Sequence, residues 1–210
     1  MMTSAKRRRL WPGAALFVAL GLLAACGARA PALPRLPADA VVLAFGDSLT
    51  FGTGADPRES YPARLEALIG RKVIAAGVPG ETSAEGLARF PAALDEAKPQ
   101  LVILCHGGND FLRKLDEAQA ADNLRAMVRL ARSRGAQVLL VGVPRPGLPP
   151  SPAGFYSEIA KEFGLPYEDA ALRKILTDNN LKSDLVHPNA IGYARLAEAL
   201  AALLRKAGAV

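Results

Sequence analysis

The chain has 210 residues, of which 50% are hydrophobic, and it carries 26 Lys and Arg against 20 Asp and Glu. This size predicts a single globular domain that buries enough surface to fold without disulfide bonds. The formal net charge of +6 falls to +2 once the four basic residues at positions 6–9 are set aside. No basic stripe interleaved with aromatic residues remains, which argues against nucleic acid as a partner.

The first 25 residues have the order of a bacterial signal peptide. Basic residues at 6–9 precede an apolar stretch at 10–25, whose 16 residues fall short of the ~20 that a bilayer-spanning helix needs. The stretch ends in Leu23-Ala24-Ala25-Cys26, which resembles a lipoprotein processing site, so we predict cleavage before Cys26 and lipidation of that cysteine. The alternatives are an ordinary secretory signal, cut near Ala28 or Ala30, and an uncleaved anchor.

Lipidation of Cys26 predicts an exported protein of the bacterial cell envelope, bound to a membrane and facing the periplasm or the exterior. Residues 26–40 are rich in Pro and Ala and predict an extended tether, followed by a folded domain over residues 41–210. Cys105 is the only other cysteine, so no structural disulfide is expected. Because Cys105 closes an apolar run, we expect it to be buried as a small hydrophobic residue.

Four continuous apolar runs, at 41–45, 73–76, 101–105 and 138–143, predict strands that helices cover on both faces. Helical periodicity predicts one helix over 121–134, ended by Gly135, and a last helix between the N-cap Asn189 and Gly208.

This alternation of strand and helix predicts an α/β fold, with a parallel sheet between two helical layers. Ligands bind such sheets at the carboxyl ends of the strands, where Ser48, Gly80 and Asn109 follow the first three runs. The loop at 144–152, with five prolines, is expected to wall the site.

A serine on the turn after a buried strand is a candidate nucleophile, and Ser48 lies in Gly46-Asp47-Ser48-Leu49-Thr50. Its hydroxyl needs a base, for which His187 is the candidate. Asp184, three residues earlier, is close enough to bind the imidazole Nδ1–H and to fix its tautomer.

Hydrolysis of an acyl group also needs preplaced donors for the tetrahedral oxyanion. The candidates are the backbone N–H groups of Ser48 and Gly80 and the side-chain amide of Asn109, which follows a glycine pair. Each residue also has an ordinary explanation: Gly80 as a turn after Pro79, Asn109 as a helix cap, His187 as a surface residue. Their order at successive strand ends favours a common site.

Three other kinds of site fit the sequence less well. The serine turn lacks the last glycine of the Gly-x-Ser-x-Gly elbow of α/β-hydrolases. Cys105 and His106 are neighbours on a strand and therefore point to opposite faces. Two histidines and one free cysteine are too few ligands for a zinc site, so no metal is expected.

The motifs resemble those of the SGNH hydrolases, also called GDSL esterases and lipases, over residues 41–204. The resemblance implies a flavodoxin-like three-layer α/β/α sandwich, with catalytic Ser48, Asp184 and His187 and an oxyanion hole of Ser48, Gly80 and Asn109. The chain is most similar to the compact bacterial branch of thioesterases, lysophospholipases and arylesterases. It departs from that branch near Ala75, where an asparagine is frequent.

We therefore expect an enzyme that cleaves carboxylic esters or thioesters through an acyl-enzyme on Ser48 and needs no cofactor. An O-acetylesterase acting on envelope carbohydrate or peptidoglycan, and a non-catalytic lipid-anchored binding protein, are the alternatives. The loops at 53–60, 111–117 and 144–155 are expected to set the substrate. The side chains that could line an acyl groove, although they also suit a core, are Phe111, Leu112, Phe155 and Tyr156.

Overall fold

The structure, a computed structural model, describes residues 30–147 and 149–210, so the predicted leader and Cys26 lie outside the described residues. The strands are β1 (Val41–Gly46), β2 (Lys72–Gly77), β3 (Leu101–Cys105), β4 (Gln137–Val141), β5 (Pro144–Arg145), β6 (Ser151–Pro152) and β7 (Tyr167–Glu168). The helices are α1 (Ser48–Phe51), α2 (Tyr61–Ile69), α3 (Ser83–Ala97), α4 (Gly108–Leu112), α5 (Glu117–Ser133), α6 (Gly154–Phe163), α7 (Ala171–Thr177) and α8 (Ala190–Lys206).

Five strands form one parallel sheet in the order β2-β1-β3-β4-β7, and β5 and β6 form a separate antiparallel pair. Helix α8 packs against α2 and α7 in one layer, and α5 packs against α3 and α6 in the other. The predicted three-layer α/β/α sandwich is confirmed.

The central strands β1 and β3 match their predicted runs closely because they lie between two neighbours and are covered on both faces. Every residue of β3 is buried. Full burial of one Val, Leu, Ile or Phe side chain stabilises a fold by about 1.5–3 kcal/mol, so these two strands contribute much of the core.

The expectation of double coverage is wrong for β2. This strand lies at the edge of the sheet beside β1 alone, and none of its residues is fully buried. Its apolar run therefore belongs to an edge strand that is only partly buried.

The packed part of the chain includes residues before Val41. The backbone N–H of Leu33 donates to the carbonyl of Ala207 at 2.9 Å, and that of Leu36 donates to the carbonyl of Ala209 at 2.8 Å. Leu36 and Ala40 are buried. The second half of the predicted tether thus lies against the end of α8. None of the helices in the described residues is long and apolar enough to cross a membrane.

Candidate active site

The turn that carries Ser48 is fixed by close packing between β1 and β3. A Cβ at Gly46 would lie 2.0 Å from the carbonyl oxygen of Cys105, so only glycine allows this approach. The next residue, Asp47, is buried and accepts the backbone N–H of Leu49 at 3.0 Å, which caps α1. Burial raises the pKa of Asp47, against the opposing effect of His106 and of the Leu49 amide. Ser48 follows as the first residue of α1.

Ser48, His187 and Asp184 form one chain of hydrogen bonds. Ser48 Oγ lies 2.9 Å from His187 Nε2, and His187 Nδ1 lies 2.7 Å from Asp184 Oδ2. An ionised carboxylate only accepts, so Nδ1 carries the proton and Nε2 is free to accept the serine hydroxyl. The structure thus brings together three residues that the sequence separates by up to 139 positions.

The loop around Asp184 keeps the carboxylate in place. Its other oxygen, Oδ1, accepts the backbone N–H groups of Val186 and His187, both at 2.8 Å. Burial alone would raise the pKa of Asp184, but hydrogen bonds from the His187 ring and from these two amides outweigh it and lower the pKa. Asp184 is therefore a stable anion next to the imidazole.

Two of the candidate oxyanion donors, Asn109 and Gly80, come from segments that contact each other. Asn109 lies near the start of α4, and its Nδ2 donates to the carbonyl of Glu81 at 2.9 Å, with Asp47 Oδ2 at 3.5 Å. Gly80 adopts a left-handed backbone conformation, with φ of 80°. Neither the Ser48 nor the Gly80 backbone N–H donates to an acceptor within the described part of the chain. Both groups are therefore available to a ligand.

A cavity of about 750 Å³ opens beside Ser48, Asn109 and His187. Its other lining residues include apolar side chains from three helices and from the segments around β5 and before α8: Leu49, Leu112, Val143, Pro144, Pro146, Pro149, Pro150, Leu176, Leu185 and Val186. The proline-rich loop lines the cavity, as the sequence predicted. Gly80 and Asp184 are not among the described residues that line it.

The predicted acyl-groove residues separate into two groups. Leu112 lines the cavity and is 49% exposed, whereas Phe111 and Tyr156 are buried in the core. Phe155 is partly buried and packs against both Phe111 and Tyr156. Leu176 and Leu185 also line the cavity, although neither was predicted from the sequence. Leu185 is 83% exposed. Its position in Asp184-Leu185-Val186-His187, next to the catalytic candidates, is the sequence feature that could have indicated it.

A buried polar network under the site was also missed. Asp110 accepts the Ser83 hydroxyl at 2.6 Å and the Ser83 backbone N–H at 2.8 Å, and Asn123 Nδ2 donates to the Ser83 hydroxyl at 2.9 Å. This network joins α3, α4 and α5. The available signal was Asn123, a polar residue on the otherwise apolar face of α5.

Residues 44–195 match the model of the GDSL-like lipase/acylhydrolase family. The chain belongs to this family. Among its GDSL-like relatives, esterase TesA of Pseudomonas aeruginosa is 35% identical over 180 residues, which cover 79% of this chain and 88% of the relative. Thioesterase 1/protease 1/lysophospholipase L1 of Escherichia coli is 31% identical over 163 residues, or 74% of this chain and 78% of the relative.

The solved structures of GDSL-like hydrolases agree with the fold. AlinE4, an SGNH-hydrolase family esterase, is 36% identical, and the match covers 80% of this chain and 96% of that chain with a TM-score of 0.64. Family and fold together confirm the expected acyl hydrolase of the SGNH type and its similarity to the compact bacterial branch.

Proposed function

We propose that this GDSL-like hydrolase cleaves carboxylic esters or thioesters with a catalytic triad of Ser48, His187 and Asp184. The observation that carries the proposal is the chain of hydrogen bonds from Ser48 Oγ through both ring nitrogens of His187 to Asp184. Ser48 and His187 line a cavity whose walls are largely apolar side chains. A hydroxyl, a base and an orienting carboxylate are the parts that acyl transfer to serine requires.

In the proposed mechanism, His187 Nε2 accepts the hydroxyl proton while Ser48 Oγ forms a bond to the acyl carbon. The carbonyl oxygen becomes an oxyanion, which accepts hydrogen bonds from the amides of Ser48 and Gly80 and from Asn109 Nδ2. The carbon–oxygen or carbon–sulfur bond then breaks, and the leaving alcohol or thiol takes the proton from His187. Water, deprotonated by the same imidazole, attacks the acyl-enzyme and releases the acid and free Ser48.

The cavity favours an acyl chain longer than acetyl. Its volume of about 750 Å³ lies inside the range of roughly 300–1,000 Å³ that is usual for small-molecule sites. The relatives named above include an esterase and a thioesterase/lysophospholipase. We therefore propose medium-chain acyl esters or thioesters as the substrate class.

We further propose that the mature enzyme is a lipoprotein of the cell envelope, with the lipid on Cys26. The support is the leader sequence, in which basic residues, a 16-residue apolar stretch and Leu23-Ala24-Ala25-Cys26 follow one another. Mass spectrometry of the membrane fraction tests this, because lipidation adds mass to the peptide that begins at Cys26. Substitution of Cys26 by Ala should release the protein from membranes.

Hydrolysis of p-nitrophenyl esters from acetyl to palmitoyl, by protein without residues 1–25, tests the function. We expect a maximum at medium chain length and, for Ser48→Ala, a loss in kcat of at least about 10³-fold with unchanged circular dichroism. Ser157→Ala is the matched control, since Ser157 is not among the described residues that line the cavity and its hydroxyl donates to the carbonyl of Gly154 within α6.

Each other outcome has a distinct meaning. Turnover retained by Ser48→Ala contradicts the mechanism. Activity confined to the acetyl ester favours the O-acetylesterase, and no activity at any chain length favours the binding protein.

A further inference from the structure

Beside the proposed oxyanion donors, the buried carboxylate of Glu81 forms an ion pair with Arg89, a side chain that is partly exposed. The carboxylate of Glu81, a residue that is 7% exposed, accepts Nε and Nη2 of Arg89, both at 2.7 Å. His106, fully buried, approaches the same carboxylate with Nε2 at 3.0 Å. Because His106 Nδ1 accepts the backbone N–H of Gly107, Nε2 is the protonated nitrogen and donates to Glu81.

This cluster is electrically balanced. Burial alone would raise the pKa of Glu81, but the hydrogen bonds from Arg89 and His106 outweigh burial and lower the pKa to about 2. Glu81 is therefore an anion at neutral pH, and the Arg89 guanidinium neutralises it. Two parallel hydrogen bonds from the guanidinium also fix the orientation of the Glu81 carboxylate, which a single ion contact would not.

Arg89 connects Glu81 to the ends of two strands. Its Nη2 donates to the carbonyl of Ala76 at 3.2 Å and makes a longer contact of 3.4 Å with the carbonyl of Gly46. The guanidinium also lies 4.1 Å from the centre of the Phe45 ring. Gly46 and Ala76 are near the carboxyl ends of β1 and β2, and Gly46 is two residues before Ser48. One side chain thus contacts the serine strand, its neighbour and Glu81.

Glu81 in turn holds the proposed donors. We call residues 77–82 the oxyanion loop. The main-chain carbonyl of Glu81 accepts Asn109 Nδ2 at 2.9 Å, and the preceding residue is Gly80. The carbonyl of Gly80 accepts Arg113 Nη2 at 2.6 Å. A displacement of Glu81 therefore moves both Gly80 and the acceptor that orients Asn109.

We propose that Arg89 and Glu81 are positioning residues that hold the oxyanion loop at a fixed place relative to Ser48. The inference rests on the proposed function, in which Gly80 and Asn109 stabilise the oxyanion. Neither Arg89 nor Glu81 is among the described residues that line the cavity, so they act on the reaction through Asn109 and Gly80. Their loss should lower kcat and leave KM nearly unchanged, because the ground-state substrate contacts remain.

A double-mutant cycle between Arg89→Met and Asn109→Ala, with kcat and KM for a medium-chain p-nitrophenyl ester, tests this. Asn109→Ala alone should lower kcat by about 10²-fold or more, as expected for loss of an oxyanion donor. Arg89→Met alone should lower kcat by about tenfold, since a misplacement of about 1 Å near the reacting atoms costs up to about 100-fold. In the Asn109→Ala background the same change should cost clearly less, because the part of its effect that passes through Asn109 is already lost and only the part that passes through Gly80 remains.

Further variants distinguish a positioning effect from the cost of an unpaired buried charge. Arg89→Met leaves the Glu81 carboxylate buried without its partner, whereas Glu81→Gln combined with Arg89→Met removes both charges and should fold. Arg89→Lys keeps the charge but not the planar fork, and should recover only part of the kcat. Arg125→Met is the matched control, since Arg125 pairs with Glu162 on the outer surface of α5 and α6.

The outcomes separate the two proposals. Unchanged kcat in folded Arg89 variants would overturn the positioning role alone. Equal losses in both backgrounds of the cycle would overturn the part of that role that passes through Asn109. Full activity of Asn109→Ala would instead overturn the proposed oxyanion hole. Near-ultraviolet circular dichroism identifies any variant that has lost its tertiary packing.

Discussion

Asp184 uses its two carboxylate oxygens for different purposes. Oδ2 accepts the imidazole Nδ1–H of His187, and Oδ1 accepts the two backbone amides that shape the loop. An asparagine has the same shape but only one oxygen. If that oxygen continues to accept the two backbone N–H groups, the side-chain amide nitrogen faces Nδ1 of His187. Because that nitrogen donates, Nδ1 must accept, and the imidazole proton moves to Nε2. A protonated Nε2 cannot accept the hydroxyl of Ser48.

We therefore expect Asp184→Asn to lower kcat by about 10³–10⁴-fold while the loop remains folded. The measurement is kcat with the best p-nitrophenyl ester, together with the thermal midpoint. Asp178→Asn is the control, since Asp178 caps a nearby exposed turn through Asn180 and does not contact His187. A kcat within tenfold of the wild type would mean that Asp184 does not set the His187 tautomer.

At the scale of elements, α3 approaches the sheet through a glycine. A Cβ on Gly86 would lie 2.2 Å from Nε2 of His106, the nitrogen that donates to Glu81. Helix α3 begins with a capping box in which Thr82 and Glu85 bind each other's backbone N–H. The cap fixes the start of the helix, so the helix cannot shift easily to make room for a larger residue.

We expect Gly86→Ala to lower the free energy of unfolding by about 1–3 kcal/mol, the usual cost of overpacking, despite the helix propensity of Ala. Gly154→Ala is the matched control within α6, because the nearest atom to its Cβ is a Glu158 carboxylate oxygen at 4.0 Å. Urea unfolding of both variants measures the difference. Equal free energies for the two variants would contradict the close approach of α3 to His106.

The sequence predicted the strands that are apolar throughout, β1 and β3, and the catalytic candidates that follow strands. It did not predict β7, whose two paired residues, Tyr167 and Glu168, form no apolar run. Helix α3 was missed because Pro91 and Gly86 interrupt its pattern, although its capping box was visible. The Glu81–Arg89–His106 cluster was not predictable, because nothing local pairs Glu81 with a histidine 25 residues away.

At the scale of the whole molecule, the tether and the site lie at opposite ends of the sheet. Ala40 precedes β1 and Ser48 follows it, and six residues of strand span about 20 Å. The same order holds along α8. Its N-cap, Asn189, is two residues after His187, and its C-cap, Ala207, accepts the backbone N–H of Leu33. The chain therefore enters the domain on the side away from the cavity.

This arrangement predicts where the enzyme finds its substrate if Cys26 carries a lipid. Six residues, 27–32, separate Cys26 from the docked Leu33. The seven residue steps between them span at most about 25 Å, too short a distance to turn the cavity toward the anchoring bilayer. We expect the lipidated protein in vesicles to hydrolyse a water-soluble ester as fast as protein without residues 1–25.

An ester lipid in the same bilayer should be cleaved more slowly than the same lipid in separate vesicles without protein. Insertion of about 20 Gly and Ser residues after Gly27 should remove that difference, because a flexible linker of this length lets the domain reorient. Equal cleavage in both bilayers before the insertion would show that the anchor does not direct the cavity away from its own membrane.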